Sequence, residues 1–247
     1  MEARQEWLRN ALPQLKQVQD LRTAIDIGCG VGYFSGFLHE LGFQVVGVDG
    51  RRENIEEARR RRPELEFHCV DVQDGALRQL GVFDLVFCFG LLYHLESPLS
   101  TLRNLAAMTG KVALVEGICA PGNEAYFLLR VEDPSGDDNS LTSLALYPSE
   151  SGIVKAAYRV GFEFVWRATR FPGHEDFFES RDRERFRTIV AASRVRLESP
   201  LFELADDSPE QSDPWAKRPD FLYRMAGFAR LSWRDKLRIL TRKLSPL

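Results

Sequence analysis

The amino-acid sequence predicts a doubly wound α/β fold whose sheet has seven strands, mostly parallel with an antiparallel edge. Between residues 23 and 116, short apolar runs alternate with helical patterns, as in a parallel sheet that is covered by helices on both faces. A loop of three glycines joins the first of these strands to the helix that follows it. With 247 residues, 44% of them hydrophobic, the chain can bury the core that such a sheet needs.

The predicted elements follow in order along the chain. Residues 2–18 carry apolar side chains at helical spacing and predict one helix that is interrupted at Pro13. Five buried strands are predicted at 24–27, 45–48, 67–70, 83–89 and 111–116, with helices at 33–40, 51–62 and 98–108 between them. Residues 149–161 predict another helix, and 162–167 and 186–192 predict the pair of edge strands.

Two segments interrupt this order. Residues 117–148 are too long for an ordinary connection, which makes them a candidate functional insertion or lid. Residues 170–183 are a second insertion, between the edge strands. We therefore predict one domain over 1–193, followed by a linker and a basic amphipathic helical extension over 194–247.

The C-terminal extension is basic. Residues 217–247 hold nine Lys or Arg and two Asp, and nine minus two gives a net charge of +7. An apolar stripe at helical spacing runs through Trp233, Leu237, Leu240 and Leu244. Such a helix can lie on an anionic membrane, bind RNA, or pack on its own domain or on a partner subunit. Packing on the chain's own domain or on a partner subunit is the commonest of these outcomes, so the helix could mediate oligomerisation. Binding to a membrane and binding to RNA stay open as alternatives.

Composition and charge exclude several classes. A formal net charge of −3 does not indicate a general nucleic-acid binder. No apolar run approaches the roughly 18 residues of a membrane-spanning helix, and the start MEARQEW lacks the form of a signal peptide, so we expect a cytoplasmic protein. The four scattered cysteines include no C-x-x-C pair, which predicts reduced thiols and no metal site.

The glycine loop indicates a nucleotide site. Gly28, Gly30 and Gly32 alternate with other residues, so the backbone can turn sharply and bring its N–H groups close to a ligand. Asp49 ends the second strand 21 positions after Gly28. That is about the ~20-residue spacing at which a carboxylate meets the ribose hydroxyls. A dinucleotide fingerprint would need a glycine at Tyr33, so the spacing disfavours NAD.

The pattern Asp26-x-Gly28-x-Gly30-x-Gly32, with Asp49 after the second strand, resembles motif I of the class I S-adenosylmethionine (SAM) methyltransferases, which have a Rossmann-like fold. The resemblance implies that SAM is the cofactor and that Asp49 accepts from its ribose. It also implies that Asp71 accepts from the adenine amino group and that Asp26 helps to hold the amino-acid end. A helix N-cap is the alternative for Asp71, although Asp74 suits that role better. The predicted cofactor-binding residues are Asp26, Gly28, Cys29, Gly30, Gly32, Asp49, Gly50, Asp71, Val72 and Phe89.

The segment FGLLYHLESPL, residues 89–99, follows the fourth strand, where most class I enzymes place the reacting atom. It lacks the N-P-P-[YF] platform of amino-adenine methyltransferases, and no Pro-Cys dipeptide is present. Together with residues 146–162 it resembles a branch that includes tRNA wobble-uridine carboxymethyltransferases and small-molecule methyltransferases. Those tRNA enzymes carry a substantial domain before the core, whereas about 20 residues precede the first strand here. We therefore transfer neither their activity nor their carboxylated cofactor.

Three residues are candidates for the chemistry. An oxygen or ammonium nucleophile must lose a proton, and His94 is the best base, because histidine ordinarily has a pKa near 6.5. Tyr93 could orient the acceptor, and Glu116 is a second possible base. A hydrogen bond at the helix entry is the structural alternative for His94. Arg130 and Glu132, in the first insertion, are candidates for the acceptor pocket, and His174 is a weaker one.

The sequence thus predicts a SAM-dependent methyltransferase that acts on an oxygen or nitrogen of a small-molecule metabolite. One alternative is an RNA-modifying enzyme that uses the C-terminal helix, which we do not favour. Another is a non-catalytic SAM-binding module that works through a partner protein. An NAD oxidoreductase is the most distant alternative.

Overall fold

A computed structural model of the chain describes residues 2–136, 139–177 and 186–206. Its α-helices are α1 (Glu2–Gln19), α2 (Tyr33–Glu40), α3 (Arg52–Arg61), α4 (Pro98–Met108) and α5 (Glu150–Arg159). Its strands are β1 (Thr23–Ile27), β2 (Gln44–Asp49), β3 (Glu66–Cys69), β4 (Phe83–Phe89), β5 (Thr109–Cys119), β6 (Phe127–Val131), β7 (Leu144–Pro148), β8 (Phe164–Ala168), β9 (Phe186–Ser193) and β10 (Phe202–Leu204). None of the described helices has the length and apolar character needed to cross a bilayer. The predicted basic helix in 217–247 and part of the second insertion lie outside the described residues.

Eight of the described strands form one sheet in the order β10-β8-β9-β5-β4-β1-β2-β3. Strands β1 to β5 run parallel, β9 runs antiparallel to β5 and β8, and β10 runs antiparallel to β8. The predicted mostly parallel sheet with an antiparallel edge is confirmed. The predicted count of seven strands is wrong, because β10 adds an eighth strand after residue 193. Three residues are too few to show the alternation that indicates a strand.

Helix α1 runs through Pro13, where we predicted an interruption. Leu8, Leu12 and Leu15 are fully buried and pack in one cluster with β4. Each large buried side chain contributes roughly 1.5–3 kcal/mol, and together they outweigh the ~3 kcal/mol cost of a proline inside a helix. Packing on the sheet therefore keeps α1 continuous.

Strand β4 shows how the two layers form. Leu85, Phe87 and Phe89 pack in the cluster that contains side chains of α1 and α2. Val86 and Cys88 point to the other face and share a cluster with α4 and α5. Since successive side chains of a strand alternate between faces, a continuous apolar run fills both layers. The carboxyl ends of the parallel strands then meet at one edge of the sheet, where open α/β folds bind ligands.

The first predicted insertion, 117–148, forms mainly a two-stranded antiparallel hairpin. Strand β5 extends into it as far as Cys119, and β6 pairs with β7 from Phe127 opposite Pro148 to Val131 opposite Leu144. The Leu146 N–H donates to the Leu95 carbonyl at 2.9 Å. The hairpin is therefore attached to the segment that follows β4, beside the predicted acceptor site.

Candidate active site

A cavity of about 450 Å³ opens at the carboxyl ends of the parallel strands. This volume lies within the roughly 300–1,000 Å³ that is typical of small-molecule sites. Most of the predicted site residues line it, namely Gly28, Cys29, Gly30, Asp49, Gly50, Asp71, Val72, Phe89, Tyr93 and His94. Asp26, Gly32 and Glu116 are not part of the lining. Residues predicted from separate motifs are therefore brought to one cavity.

The glycine loop forms one end of the cavity. Its N–H groups at Gly28 and Cys29 both donate to the Val48 carbonyl, at 2.8 and 2.9 Å, so β2 holds the loop in place. Gly28 and Gly30 have φ values of 77° and 53°, which favour glycine. A Cβ at Gly28 would lie 2.8 Å from Leu91, whereas a Cβ at Gly30 would meet no protein atom within 4 Å. The loop thus presents bare backbone to open space at Gly30.

Asp49 links this loop to the start of α3. Its Oδ2 accepts from the Gly30 N–H at 2.9 Å, and its Oδ1 accepts from Arg51 N at 2.8 Å and from Asn54 Nδ2 at 3.1 Å. A carboxylate offers about four acceptor positions, so Oδ2 keeps capacity for a further donor. The residue predicted to hold a ribose is therefore fixed at the cavity by three hydrogen bonds.

Asp26 lies behind the loop and is buried. Its Oδ2 accepts from Ser35 Oγ of α2 at 2.7 Å. Burial raises the pKa of Asp26 to about 7, although the hydrogen bond from Ser35 acts in the opposite direction. The carboxyl group thus ties β1 to α2, and its role at the amino-acid end of SAM stays a prediction.

Asp71 and Val72 follow β3 at the cavity wall. Asp71 Oδ1 accepts from the Gln73 N–H at 2.9 Å. Asp74 caps the 3-10 helix Gly75–Leu80 by accepting from the Ala76 N–H at 2.9 Å, so the capping role that we considered for Asp71 is taken by Asp74. Asn104 of α4 donates to the Val72 carbonyl at 2.8 Å and holds this segment against the cavity.

The turn of the β6–β7 hairpin lies over the glycine-loop end of the cavity. The guanidinium of Arg51 donates to the carbonyls of Pro134, Gly136 and Asn139 at 3.0–3.2 Å. A Cβ at Gly50 would lie 2.7 Å from Leu141 Cδ1, and Leu141 lines the cavity. The insertion is therefore a wall of the site.

His94 forms a hydrogen-bonded pair with a carboxylate of this hairpin. It ends the 3-10 helix Leu92–His94, and its Nδ1 lies 2.7 Å from Glu132 Oε2. Glu132 also accepts from Ser140 N at 2.8 Å and from Tyr147 Oη at 2.9 Å. Burial acts to raise the pKa of Glu132, but the hydrogen bonds from His94 and Ser140 outweigh it and lower this pKa below its ordinary value.

The charge of Glu132 fixes the histidine tautomer. A carboxylate can only accept, so Nδ1 of His94 carries the proton that is shared with it. The other ring nitrogen, Nε2, has no hydrogen-bond partner among the described residues, and His94 lines the cavity. This is the arrangement of a general base that is oriented by an acid.

A second polar cluster surrounds Tyr93. Glu116 of β5 is fully buried, and its Oε1 accepts from Arg187 Nη1 at 2.8 Å. Arg187 Nη2 donates to Tyr93 Oη at 3.1 Å, and Arg4 Nη1 lies 3.6 Å from Glu116 Oε2. Burial acts to lower the pKa of Arg187, but attraction to Glu116 raises it above its ordinary value. Burial raises the pKa of Tyr93 and keeps the phenol neutral. Glu116 is thus a charge partner of arginines, and its role as a second base stays a prediction.

The other sequence candidates lie away from the cavity lining. Arg130 stands over the ring of Tyr147 at 5.8 Å, and His174 is exposed with its Nδ1 3.4 Å from Asp176. Sequence reasoning missed three arginines that do line the cavity, Arg4, Arg51 and Arg187. For Arg4 the helical spacing was an available signal. Arg4 lies four residues before Leu8, on the same face of α1, and that face is buried against the domain.

Comparison with known proteins identifies the family. The profile of a methyltransferase domain matches residues 2–182, more than half of the chain. The tRNA U34 carboxymethyltransferase of Pseudoalteromonas translucida is 30% identical over 171 residues, which are 66% of this chain and 52% of that protein. The ubiquinone biosynthesis O-methyltransferase of Bordetella avium is 31% identical over 109 residues, which are 42% of this chain and 44% of that protein. The chain thus spans about half the length of the curated relatives it matches.

Solved structures agree on the fold. The N-terminal domain of EvdMO1, crystallised in the presence of SAH and D-fucose, superposes with a TM-score of 0.62 over 78% of this chain and 83% of that chain. Its sequence identity is 19%, so this likeness concerns the fold alone. The domain match over residues 2–182 confirms the family that the glycine loop and strand-end acids predicted, and the likeness in fold agrees with it: the chain belongs to the class I SAM-dependent methyltransferases.

Proposed function

We propose that this protein transfers a methyl group from SAM to an oxygen or nitrogen atom of a small-molecule acceptor. One observation carries the proposal. A single cavity is lined both by the glycine loop with Asp49 and by His94, whose ring is oriented by a carboxylate. The residues proposed to bind the nucleotide and the proposed general base thus line the same cavity. The ubiquinone biosynthesis O-methyltransferases among the relatives support a small-molecule acceptor.

The residues at the glycine-loop end fit the cofactor. Bare backbone at Gly30, acceptor capacity on Asp49 and the acid Asp71 suit a nucleoside with an adjoining amino-acid chain. Bound SAM supplies an electrophilic methyl group on a sulfonium. Asp49 would hold the ribose hydroxyls, and Asp71 with the backbone of Val72 would hold the adenine. Leu141 would form part of the wall around the bound cofactor.

At the other end, the chain positions the acceptor and takes up its proton. Neutral Nε2 of His94 accepts the proton that the acceptor hydroxyl or ammonium loses. Glu132 stabilises the imidazolium that forms, because its carboxylate lies 2.7 Å from Nδ1. General-base catalysis of this kind contributes roughly 10²–10⁴-fold to a rate. Tyr93, at a ring-centroid distance of 4.1 Å from His94, would orient the acceptor.

Transfer of radiolabelled methyl from SAM into cell extracts tests the proposal. The extract is separated into a small-molecule fraction, an RNA fraction and a protein fraction before the enzyme is added. We expect label in the small-molecule fraction and its loss with His94→Ala. An extract that stays unlabelled while calorimetry shows SAM binding would instead indicate a non-catalytic SAM-binding module.

The tRNA U34 carboxymethyltransferase relatives favour a second candidate, the modification of RNA. In that case label would enter the RNA fraction. Removal of 217–247 would abolish RNA binding, and binding by the intact chain would fall steeply with salt because basic residues displace counterions from phosphates. Label in RNA and none in small molecules would replace the first proposal.

A further inference from the structure

We propose that Arg51 is a positioning residue, whose guanidinium holds the turn of the β6–β7 hairpin in the place from which Glu132 orients His94. The inference rests on the proposed function and adds to it a residue that acts on the base through the hairpin. Arg51 follows Asp49 by two positions, so this contact couples the glycine-loop end of the cavity to the proposed base.

The first argument is that Arg51 joins the turn to the segment between β2 and α3. Its Nη2 donates to three backbone carbonyls of the turn, those of Pro134, Gly136 and Asn139, at 3.0–3.2 Å. The other hydrogen bonds described for residues 133–141 run within the hairpin. Removal of the guanidinium therefore releases the turn from the rest of the domain while the pairing of β6 with β7 is kept.

The second argument is a short path from this contact to the base. Arg51 holds the carbonyl of Asn139. The N–H of the next residue, Ser140, donates to Glu132 Oε2 at 2.8 Å, and the same oxygen lies 2.7 Å from His94 Nδ1. Ser140 is buried, so its N–H depends on a protein acceptor. A displaced turn thus takes a donor away from the carboxylate that orients the imidazole.

The third argument is that the same turn lies against the glycine-loop end of the cavity. Arg51 and Leu141 both line the cavity, and a Cβ at Gly50 would lie 2.7 Å from Leu141 Cδ1. A ligand that fills this end contacts the segment after β2 and the turn together, so its binding favours the arrangement in which Arg51 holds the turn. Cofactor binding and orientation of the base then depend on one position of the hairpin.

Three matched variants test the inference. Arg51→Met keeps an unbranched stem at the cavity and removes the donors, whereas Arg51→Lys keeps a charge and donors on a shorter side chain. Arg52→Met is the control, because it removes the exposed arginine that follows in α3. Each protein is saturated with SAH, so that no methyl transfer takes place, and thermal unfolding checks that it is folded.

Two measurements then report on the turn and on the ring. Hydrogen exchange follows the Ser140 amide, and nitrogen NMR of isotope-labelled histidine follows His94, whose signal is identified by its loss in His94→Gln. At about pH 8, where a free imidazole is neutral, we expect the wild type and Arg52→Met to carry the His94 proton on Nδ1.

Arg51→Met should raise the exchange rate of the Ser140 amide by about tenfold or more and shift His94 toward the mixture of tautomers of a free imidazole. Arg51→Lys should lie between Arg51→Met and the wild type, because an ammonium restores part of the contact with the turn. Exchange and tautomer in Arg51→Met that match those in Arg52→Met would overturn the inference.

A double-variant cycle distinguishes positioning from a general loss of stability. Arg51→Met should lower kcat by about tenfold or less, and the double variant with Glu132→Gln should fall no further than Glu132→Gln alone. The reason is that both substitutions act through the same carboxylate. Losses that multiply in the double variant would overturn the inference.

The NMR measurement separates this inference from the function on which it rests. An unchanged tautomer in Arg51→Met, together with methyl transfer by the wild type, would refute the positioning role and leave the function intact. A tautomer that responds to Arg51→Met in a protein that labels no fraction of the extract would refute the proposed function and support the positioning role.

Discussion

The two ends of the cavity are built in different ways. The glycine-loop end uses residues 28 to 72, which come from three successive strand tips of the parallel sheet and act largely through backbone groups. The part of the cavity where we propose that the acceptor binds combines side chains from residue 4, residues 93–94, residue 132 of the hairpin and residue 187. The first end is a property of one contiguous segment, and the second depends on contacts between segments that are far apart in the chain.

This difference indicates which part of the site suits binding of a common cofactor and which part suits selection of a particular acceptor. Backbone N–H groups at a strand-to-helix turn can bind the same cofactor on many sheets. Side chains from α1, the hairpin and β9 can vary independently of the loop, so they are suited to select the acceptor. Substitutions at the two ends should therefore affect different kinetic constants.

The largest expected effect concerns His94. His94→Ala should lower kcat by roughly 10²–10⁴-fold, because the acceptor then loses its proton without a base, and SAM affinity should stay within about twofold of wild type. Turnover kinetics and calorimetry measure the two quantities. His39→Ala, an exposed histidine at the end of α2, is the matched control. Full turnover in His94→Ala would remove the base from the mechanism.

Asp49 tests the opposite end. Asp49→Ala should weaken SAM binding by at least about tenfold, because it removes the predicted ribose acceptor and three hydrogen bonds that hold the loop and α3. Calorimetric titration with SAM gives the value, and Glu53→Ala, an exposed acid in the first turn of α3, serves as its control. Unchanged affinity would contradict the ribose assignment.

A smaller effect is expected at Glu132, which joins the hairpin to the base. Glu132→Gln should reduce kcat by about tenfold, since a neutral amide stabilises the imidazolium less than a carboxylate does. For the same reason, the acidic limb of the pH–rate profile should move to lower pH. A purely structural role would lower activity without moving that limb. Glu96→Gln, an exposed acid in the same segment as His94, should leave both unchanged.

The smallest effect on catalysis and on cofactor binding is expected at Asp26, which is buried behind the loop. Because burial raises its pKa to about 7, the folded protein holds a proton that the unfolded chain lacks between about pH 4 and 7. Its contribution to the free energy of unfolding is therefore lost as pH rises through that window. Relative to wild type, Asp26→Asn should gain roughly 2–3 kcal/mol of stability as the pH rises from 5 to 8, because the folded and unfolded states of the wild type differ by one proton over about two pH units.

Urea unfolding at several pH values measures this change. A stability difference between the two proteins that does not vary with pH would show that Asp26 is ionised throughout. SAM affinity should fall less in Asp26→Asn than in Asp49→Ala, because Asp49 lines the cavity and Asp26 does not. The reverse order would place Asp26 in direct contact with the cofactor.

The parallel strands and their order along the chain were predictable, because most of them are largely apolar runs that are followed by a glycine or an acid. The loop of Gly28 and Gly30 was also predictable, because its positive φ values depend only on the local backbone freedom of glycine. The continuity of α1 through Pro13 was not predictable from the sequence. Burial of the leucines of α1 against β4 outweighs the tendency of proline to interrupt a helix. Strand β10 was not predictable either, because its pairing with β8 is a long-range contact.

The sequence by itself determined the fold class and the family's cofactor, since both follow from residues that are neighbours along the chain, such as the glycine loop that lines the cavity. The tertiary structure decided which side chains meet at the proposed acceptor end of the cavity. The pairing of His94 with Glu132 spans 38 positions and the pairing of Tyr93 with Arg187 spans 94. Contacts over such separations depend on how helices and strands pack, and no local pattern encodes them.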